Sequence, residues 1–283
     1  MGVDPVIRLE GISKSFGPVQ ANRNISLEIR RGRVLALLGE NGAGKSTLMS
    51  MLAGQLLPDS GTIYHEGKKV VFASTEKAIE SGIGMVYQHF KLVDAMSVAE
   101  NIFLGRADSV WLRKKKMNDI VSELAQSYGM QLDPNAIISE LSMGEKQQVE
   151  ILKLLFRKSN ILIFDEPTAV LTPHEAKTLF KTMKQMVSAG KAIVFISHKL
   201  EEVMSIADDI AILKKGEVIE VRSAAEVSST AELAELMVGR EVLLKADRFP
   251  VEPRQLVLKV EHLQGDSLKD VSLEVRQGEI LGI

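Results

Sequence analysis

The sequence predicts an α/β fold, in which a sheet of buried parallel strands is interrupted by a helical insertion. Two features of the residue pattern predict it. Residues 34–38, 161–164 and 192–196 are continuous apolar runs of strand length (Val-Leu-Ala-Leu-Leu, Ile-Leu-Ile-Phe and Ala-Ile-Val-Phe-Ile). A strand needs such a run only when both of its faces are covered, which is the condition inside a parallel sheet. Helical periodicity fills the gaps between them, over most of residues 89–157 and again over 173–189, and strand–helix alternation of this kind defines the class.

Taken in order, residues 6–10 and 25–29 alternate apolar and polar side chains, the period of half-buried strands. The run at 34–38 ends in a glycine-rich loop, and residues 46–53 then read as a helix. Within 89–157 the clearest helices are 117–128 and 146–156. The second places Val149, Leu152, Leu155 and Phe156 on one face. The stretch 173–189 opens on Thr172-Pro-His174-Glu175, a capped helix start that accounts for His174. After Gly239, the charged residues 240–255, with Pro250 and Pro253, read as a linker. Residues 271–283 then repeat the pattern of 25–37, and 258–263 resemble 7–12. The expectation is one domain over 1–239, with its helical insertion at about 89–157. A linker at 240–255 would lead into the start of a truncated second domain of the same kind at 256–283. Two hairpins can look alike by chance, but the length of the match speaks against that.

Composition narrows the function. A 45% hydrophobic share of 283 residues is enough for a sizeable core. The net charge of −2 argues against strong electrostatic attraction to nucleic acid or an anionic membrane. With no cysteine, disulfides and thiolate metal sites are excluded. The first residues lack the cationic start and apolar run of a signal peptide, and no apolar stretch reaches the roughly 18–20 residues of a membrane span. We therefore expect a soluble, cytoplasmic protein that reaches a membrane only through partners. Arg113 to Lys116 read as a solvated helix end, with Trp111 packed locally. The methionines read as core filling, and His65, His89 and His262 have no metal-ligand spacing.

The chemistry gathers in three places. Gly39, Glu40, Asn41, Gly42, Ala43, Gly44, Lys45 and Ser46 fit G-x-x-x-x-G-K-[ST], between a strand and a helix as that motif requires. Glycines let consecutive N–H groups face phosphates, and the following helix adds its positive end. Lys45 can reach β- and γ-phosphate oxygens, while the Ser46 hydroxyl can ligate Mg²⁺. The run at 161–164 ends in Asp165 and Glu166, which can hold Mg²⁺ and orient an attacking water. His198, at the tip of the run at 192–196, is a candidate γ-phosphate sensor.

Further along, Leu141-Ser142-Met143-Gly144-Glu145 resembles the LSGGQ signature of ABC (ATP-binding cassette) proteins. Gln88 matches that family's Q-loop, and Phe16 stands where an aromatic stacks on adenine. With Lys45, Asp165, Glu166 and His198, these motifs follow family order across residues 6–237. The resemblance implies a P-loop NTPase core carrying an antiparallel β subdomain and a helical subdomain, with ATP and Mg²⁺ as cofactors. Lys45, Glu166 and His198 would be catalytic, and Ser46, Gln88 and Asp165 would hold the metal. Thr47, beside Ser46, joins the nucleotide contacts. Ser142, Gly144 and Glu145 would meet the γ-phosphate bound by a facing second ABC domain, either this protein's own second half or another copy.

Departures from the family pattern are Met143 and Glu145 in the signature and Gln148 where arginine is frequent. Thr168-Ala-Val-Leu-Thr172 stands in place of a Ser-Ala-Leu-Asp turn, which puts communication between paired sites in question. The second half offers no aromatic matching Phe16. That Thr-Ala-Val-Leu-Thr turn and the segment after Gln88 resemble the ATPase subunits of simple-sugar and nucleoside importers. The resemblance implies transmembrane permease subunits as partners, touching residues 89–104, and a solute-binding protein indirectly. It also implies a peripheral position on the cytoplasmic face of the cell membrane, with no nucleic-acid partner. The rival expectation is a soluble tandem ABC ATPase acting on ribosomes or nucleic acid; the short connection and the lack of a basic arm rank it lower.

Overall fold

In chain order, β1 (Ile7–Phe16) and β2 (Val19–Ile29) precede β3 (Val34–Leu38) and α1 (Lys45–Leu52). There follow β4 (Ser60–His65), β5 (Lys68–Val70), α2 (Thr75–Glu80) and β6 (Ile83–Val86), then three helices, α3 (Val98–Phe103), α4 (Lys114–Ser127) and α5 (Met143–Phe156). The chain returns through β7 (Ile161–Asp165), α6 (Pro173–Ser188), β8 (Ala192–Ile196) and α7 (Leu200–Ile206). It continues in β9 (Asp209–Lys214), β10 (Glu217–Ser223) and α8 (Thr230–Val238), and a last hairpin is made of β11 (Leu256–Gly265) and β12 (Leu268–Arg276). This architecture comes from a computed structural model that describes residues 4–105, 113–238, 255–265 and 268–282. Most of the expected linker, and Trp111, lie outside the described residues.

The continuous apolar runs pack as their pattern demands. Five parallel strands lie in the order β9-β3-β8-β7-β6, with β10 antiparallel on the β9 edge. Every residue of β3 and β8 is buried, because successive side chains serve two different cores. Val34, Ala36, Leu38, Phe164, Ile193 and Phe195 join a layer built with residues of α3 to α8. Leu35, Leu37, Ile163, Val194 and Ile196 join a second layer with α1 and the antiparallel sheet β2-β1-β4-β5. An alternating strand would leave one of these layers without a partner.

The alternating segments prove longer than expected. β1 and β2 run on beyond the half-buried residues to a tight turn, where Phe16 pairs with Val19. The helix expected from residue 146 starts at Met143, with Ser142 as its N-cap, and the one expected from 46 starts at Lys45. β4, β5, α2, β6, α7, β9, β10 and α8 carry no expectation from the sequence. β6 shows why: it is four residues long and contains Gly84, where a Cβ would lie 2.8 Å from Ser159 Oγ and 2.9 Å from a Leu154 methyl. Close packing against α5 selects the glycine, and the glycine breaks the strand signal. Among the described residues, no helix is long and apolar enough to cross a membrane.

The chain divides into two compact units, Met1–Val242 and Leu243–Ile283. The second contains the β11–β12 hairpin, and its internal geometry repeats that of β1–β2. Leu258 pairs with Val275, Val260 with Leu273 and Leu263 with Val271. In the first hairpin the matching pairs are Ile7 with Ile29, Leu9 with Leu27 and Ile12 with Ile25. Each hairpin has a bulge before the third pair. There the N–H of Gly11 donates to Ser26 Oγ (3.2 Å), and that of His262 donates to Ser272 Oγ (3.0 Å). The left-handed residues Gly11 and Asn24 (φ 63° and 48°) correspond to His262 and Asp270 (φ 52° and 54°).

Candidate functional site

Because β3, β6, β7 and β8 are parallel, their C-terminal ends share one edge of the sheet. In open α/β sheets this is the edge where ligands bind. The loop from Gly39 to Gly44 leaves β3 there and feeds α1, whose first residue is Lys45. Gly44 has φ 100°, and a Cβ on it would sit 2.6 Å from Asn22 Nδ2 and closer still to the Ala21 carbonyl oxygen. Asn22, fully buried in β2, donates from Nδ2 to the Gly44 carbonyl at 3.1 Å. The loop is thus pressed against β2, and only glycine fits.

Lys45 is 6% exposed, and its ammonium donates to the carbonyls of Gly39 (2.7 Å) and Glu40 (2.9 Å). The Ala43 N–H also donates to the Glu40 carbonyl, at 3.1 Å. Burial lowers the Lys45 pKa, against the opposing pull of Glu166 and Asp165. Ser46 Oγ lies 3.5 Å from Asp165 Oδ1. Burial raises the Asp165 carboxyl above its ordinary value; Glu166 adds to the rise, while the Ser46 hydroxyl and Lys45 oppose it. Glu166 takes a left-handed backbone (φ 46°), its N–H bonded to the Ile196 carbonyl at 3.0 Å. Its carboxylate meets His198 Nδ1 at 3.0 Å. Oxygen donors on Ser46 and Asp165 suit a hard cation such as Mg²⁺, which takes its remaining ligands from phosphate and water. Among the described residues, no cluster of three or more His, Cys, Asp or Glu forms a metal cage.

The other expected residues stand around this edge. Asn41, Glu40 and Gly42 are exposed on the loop, Ala43 is buried beneath it, and Thr47 is half-buried in α1. Gln88 is exposed two residues beyond β6. Phe16 is exposed at the end of β1, with the Lys14 ammonium 5.8 Å from its ring centre.

Ser142, Gly144 and Glu145 form a separate group at the start of α5. Among the described residues, no hydrogen bond or ion pair joins them to the loop at 39–46. Ser142 and Glu145 make a capping box: the Ser142 N–H donates to Glu145 Oε2 (2.8 Å) and the Glu145 N–H to Ser142 Oγ (3.3 Å). The carboxylate of Glu175 in α6 lies against Gly144, where it would block a Cβ. Glu175 also accepts from the N–H and hydroxyl of Thr172, both at 2.8 Å, and these donors hold its pKa below the ordinary carboxylate range. Sequence reasoning missed Asn22 and Glu175 as site residues. Thr172-Pro-His-Glu175 does read as a capping box in sequence, but its reach to Gly144 does not.

The family described as ABC transporter matches residues 22–169, more than half of the chain. The nucleoside import ATP-binding protein NupA of Lactococcus lactis is 43% identical over 291 residues, covering all of this chain and 57% of its own length. The ribose import ATP-binding protein RbsA of Caldanaerobacter subterraneus is 41% identical, covering 99% of this chain and again 57% of its own length. The chain therefore spans little more than half the length of the curated relatives it matches. Among solved structures, cbiO1 from Clostridium perfringens, part of the ABC transporter complex cbiONQ, superposes with a TM-score of 0.70 at 29% identity, over 83% of this chain and 93% of its own.

Proposed function

The chain belongs to the ABC transporter family, and from that premise we propose that it binds and hydrolyses ATP to power import of a small polar solute. The observation that carries this reading is the meeting of Lys45, Ser46, Asp165, Glu166 and His198 at one sheet edge. In it, the N–H groups of residues 39–47 and the Lys45 ammonium hold the phosphates, and Phe16 stacks on adenine. The Ser46 hydroxyl and Asp165, with Gln88, hold Mg²⁺, which when bound offsets charge on the phosphate oxygens. Glu166 orients the attacking water and accepts its proton, and His198 holds the Glu166 carboxylate in place while facing the γ-phosphate.

The anion-binding start of α5, with the Ser142 hydroxyl and the Gly144 N–H, serves the nucleotide of a facing second ABC domain. That domain is another copy or a second half of the same protein. The matching registers and bulges of β1–β2 and β11–β12 support reading residues 256–283 as the opening of such a half, with residues 1–239 as the first domain and 240–255 as the linker. Permease subunits in the membrane would dock on residues 89–104 of the helical insertion, holding the chain at the cytoplasmic face, and a solute-binding protein would act indirectly. Relatives named for nucleoside and for ribose import support a solute from that range.

The test is steady-state ATP hydrolysis over a wide range of chain concentration, beside the Glu166→Gln variant. Specific activity that rises with concentration and falls at least about 100-fold in the variant supports a composite site with Glu166 catalytic. Folded protein that binds no ATP in the presence of Mg²⁺ overturns the reading.

A further inference from the structure

Beside the Glu166–His198 pair, a second carboxylate ties together the two turns that carry it. Thr168, two residues after Glu166, and Ser197, one before His198, are each 2% exposed. Both hydroxyls donate to the same oxygen, Glu202 Oε2, Thr168 Oγ1 at 2.6 Å and Ser197 Oγ at 3.2 Å. The other Glu202 oxygen, Oε1, pairs with the Lys199 ammonium at 3.1 Å. That ammonium also donates to the Thr168 carbonyl at 3.2 Å, and the Lys199 N–H donates to Ser197 Oγ at 3.0 Å. Glu202, in the first turn of α7, thus closes a partly buried ring of polar contacts spanning the tips of β7 and β8.

Little else holds the two turns in register. Glu166 sits in a left-handed conformation that strains a non-glycine residue. The turn behind it is closed by two long backbone bonds, Ala169 to Glu166 (3.2 Å) and Leu171 to Thr168 (3.3 Å). The His198 side chain is half exposed. Strand pairing ends at Asp165 and Ile196; beyond it, among the described residues, the polar contacts that join the two turns are the Glu166 N–H bond to the Ile196 carbonyl, the Glu166–His198 contact and the Glu202 ring.

We propose that Glu202 is a positioning residue for ATP hydrolysis: by holding Thr168 and Ser197 together it fixes the Glu166 carboxylate against His198. This inference rests on the hydrolytic reading above. A purely structural ring would satisfy buried hydroxyls and affect stability alone. A positioning ring also controls turnover without controlling nucleotide affinity, because the groups that hold phosphate lie on the β3–α1 loop. A misplacement of about 1 Å at a reacting group can cost 100-fold in rate.

The experiment compares Glu202→Ala, Glu202→Gln and Thr168→Val in the whole chain, each first shown to be folded by circular dichroism. Turnover is expected to fall 10- to 100-fold in Glu202→Ala and Thr168→Val, with ATP affinity, read by displacement of a fluorescent nucleotide, within two-fold of the parent. Glu202→Gln retains an acceptor for both hydroxyls and is expected to recover most of the loss. A second readout needs no turnover: the His198 imidazole resonances, measured by NMR with and without Glu166→Gln. In the parent they respond to loss of the Glu166 carboxylate; in Glu202→Ala and Thr168→Val that response is expected to shrink by half or more. An unchanged His198 response, or a loss of ATP affinity as large as the loss of turnover, overturns the proposal. A parent chain that shows the coupled His198 response yet hydrolyses nothing supports the positioning geometry while counting against the hydrolytic reading.

Discussion

Replacing Gly44 with alanine should damage the molecule in a way that replacing Gly42, two residues away, should not. Both have left-handed backbones, at φ 100° and 81°, so each alanine carries strain of about 1–3 kcal/mol. Only at Gly44 is the space also taken. Its Cβ would meet the Ala21 carbonyl oxygen well inside van der Waals contact, with Asn22 Nδ2 at 2.6 Å, whereas nothing lies within 4 Å of a Cβ on Gly42. The first obstacle is backbone and cannot rotate away. The second is the amide that holds the Gly44 carbonyl. Making room means moving β2 off the loop, an overpacking cost of about 1–3 kcal/mol beyond the strain. Gly44→Ala should therefore be less stable than Gly42→Ala by that margin. Urea unfolding followed by circular dichroism gives the comparison directly, provided the m-values agree. Equal midpoints for the two variants would refute the packing argument and leave the left-handed backbone as the structural reason for a glycine at 44.

Asp165→Asn should abolish hydrolysis while stabilising the fold. Burial raises the Asp165 carboxyl, so the folded state disfavours its ionised form. Below about pH 4 both states hold the proton and the variant gains nothing. The gain opens as pH rises past the unfolded value, is complete above the raised native value and is constant from there. A gain of about 0.5–2 kcal/mol at neutral pH is in the range expected on relieving a functional site, and thermal unfolding between pH 4.5 and 8 that shows a lower melting temperature for the variant throughout would contradict this. Thr172→Ala removes the N-cap oxygen of α6, which both accepts from the Glu175 N–H and donates to its carboxylate. It should cost about 1 kcal/mol in urea unfolding, with Thr172→Ser recovering most of it.

The legible parts of this fold are those whose residues answer to a single demand. β3, β8 and the first four residues of β7 are buried on two faces, so their sequences are apolar throughout and admit one reading. The loop at 39–46 declares itself through the spacing of its glycines, two of which, Gly39 and Gly44, leave no room for a Cβ. β6 answers to two demands, since Gly84 must admit Leu154 and Ser159 against a strand that wants bulk, and its signal is lost. β10 is an edge strand with half its residues polar, and its pattern is as weak as its burial. Asn22 and Glu202 escaped notice for another reason. An asparagine in an alternating strand and a glutamate in a first helical turn are ordinary residues, and only the partners that folding brings to them give them a task.

The two hairpins carry one further consequence. At each bulge the chain turns left-handed at corresponding places, yet glycine stands at one and histidine at the other, asparagine at one and aspartate at the other. The serine that catches the bulged N–H, and the strand pairing around it, are kept in both. Glycine is therefore not the cause of this kink but one of its tenants; the neighbouring ladder dictates the backbone, and the residue only has to tolerate it. An alignment scored on identity counts Gly11 against His262 as a loss of likeness. In the language of torsion angles they are the same letter.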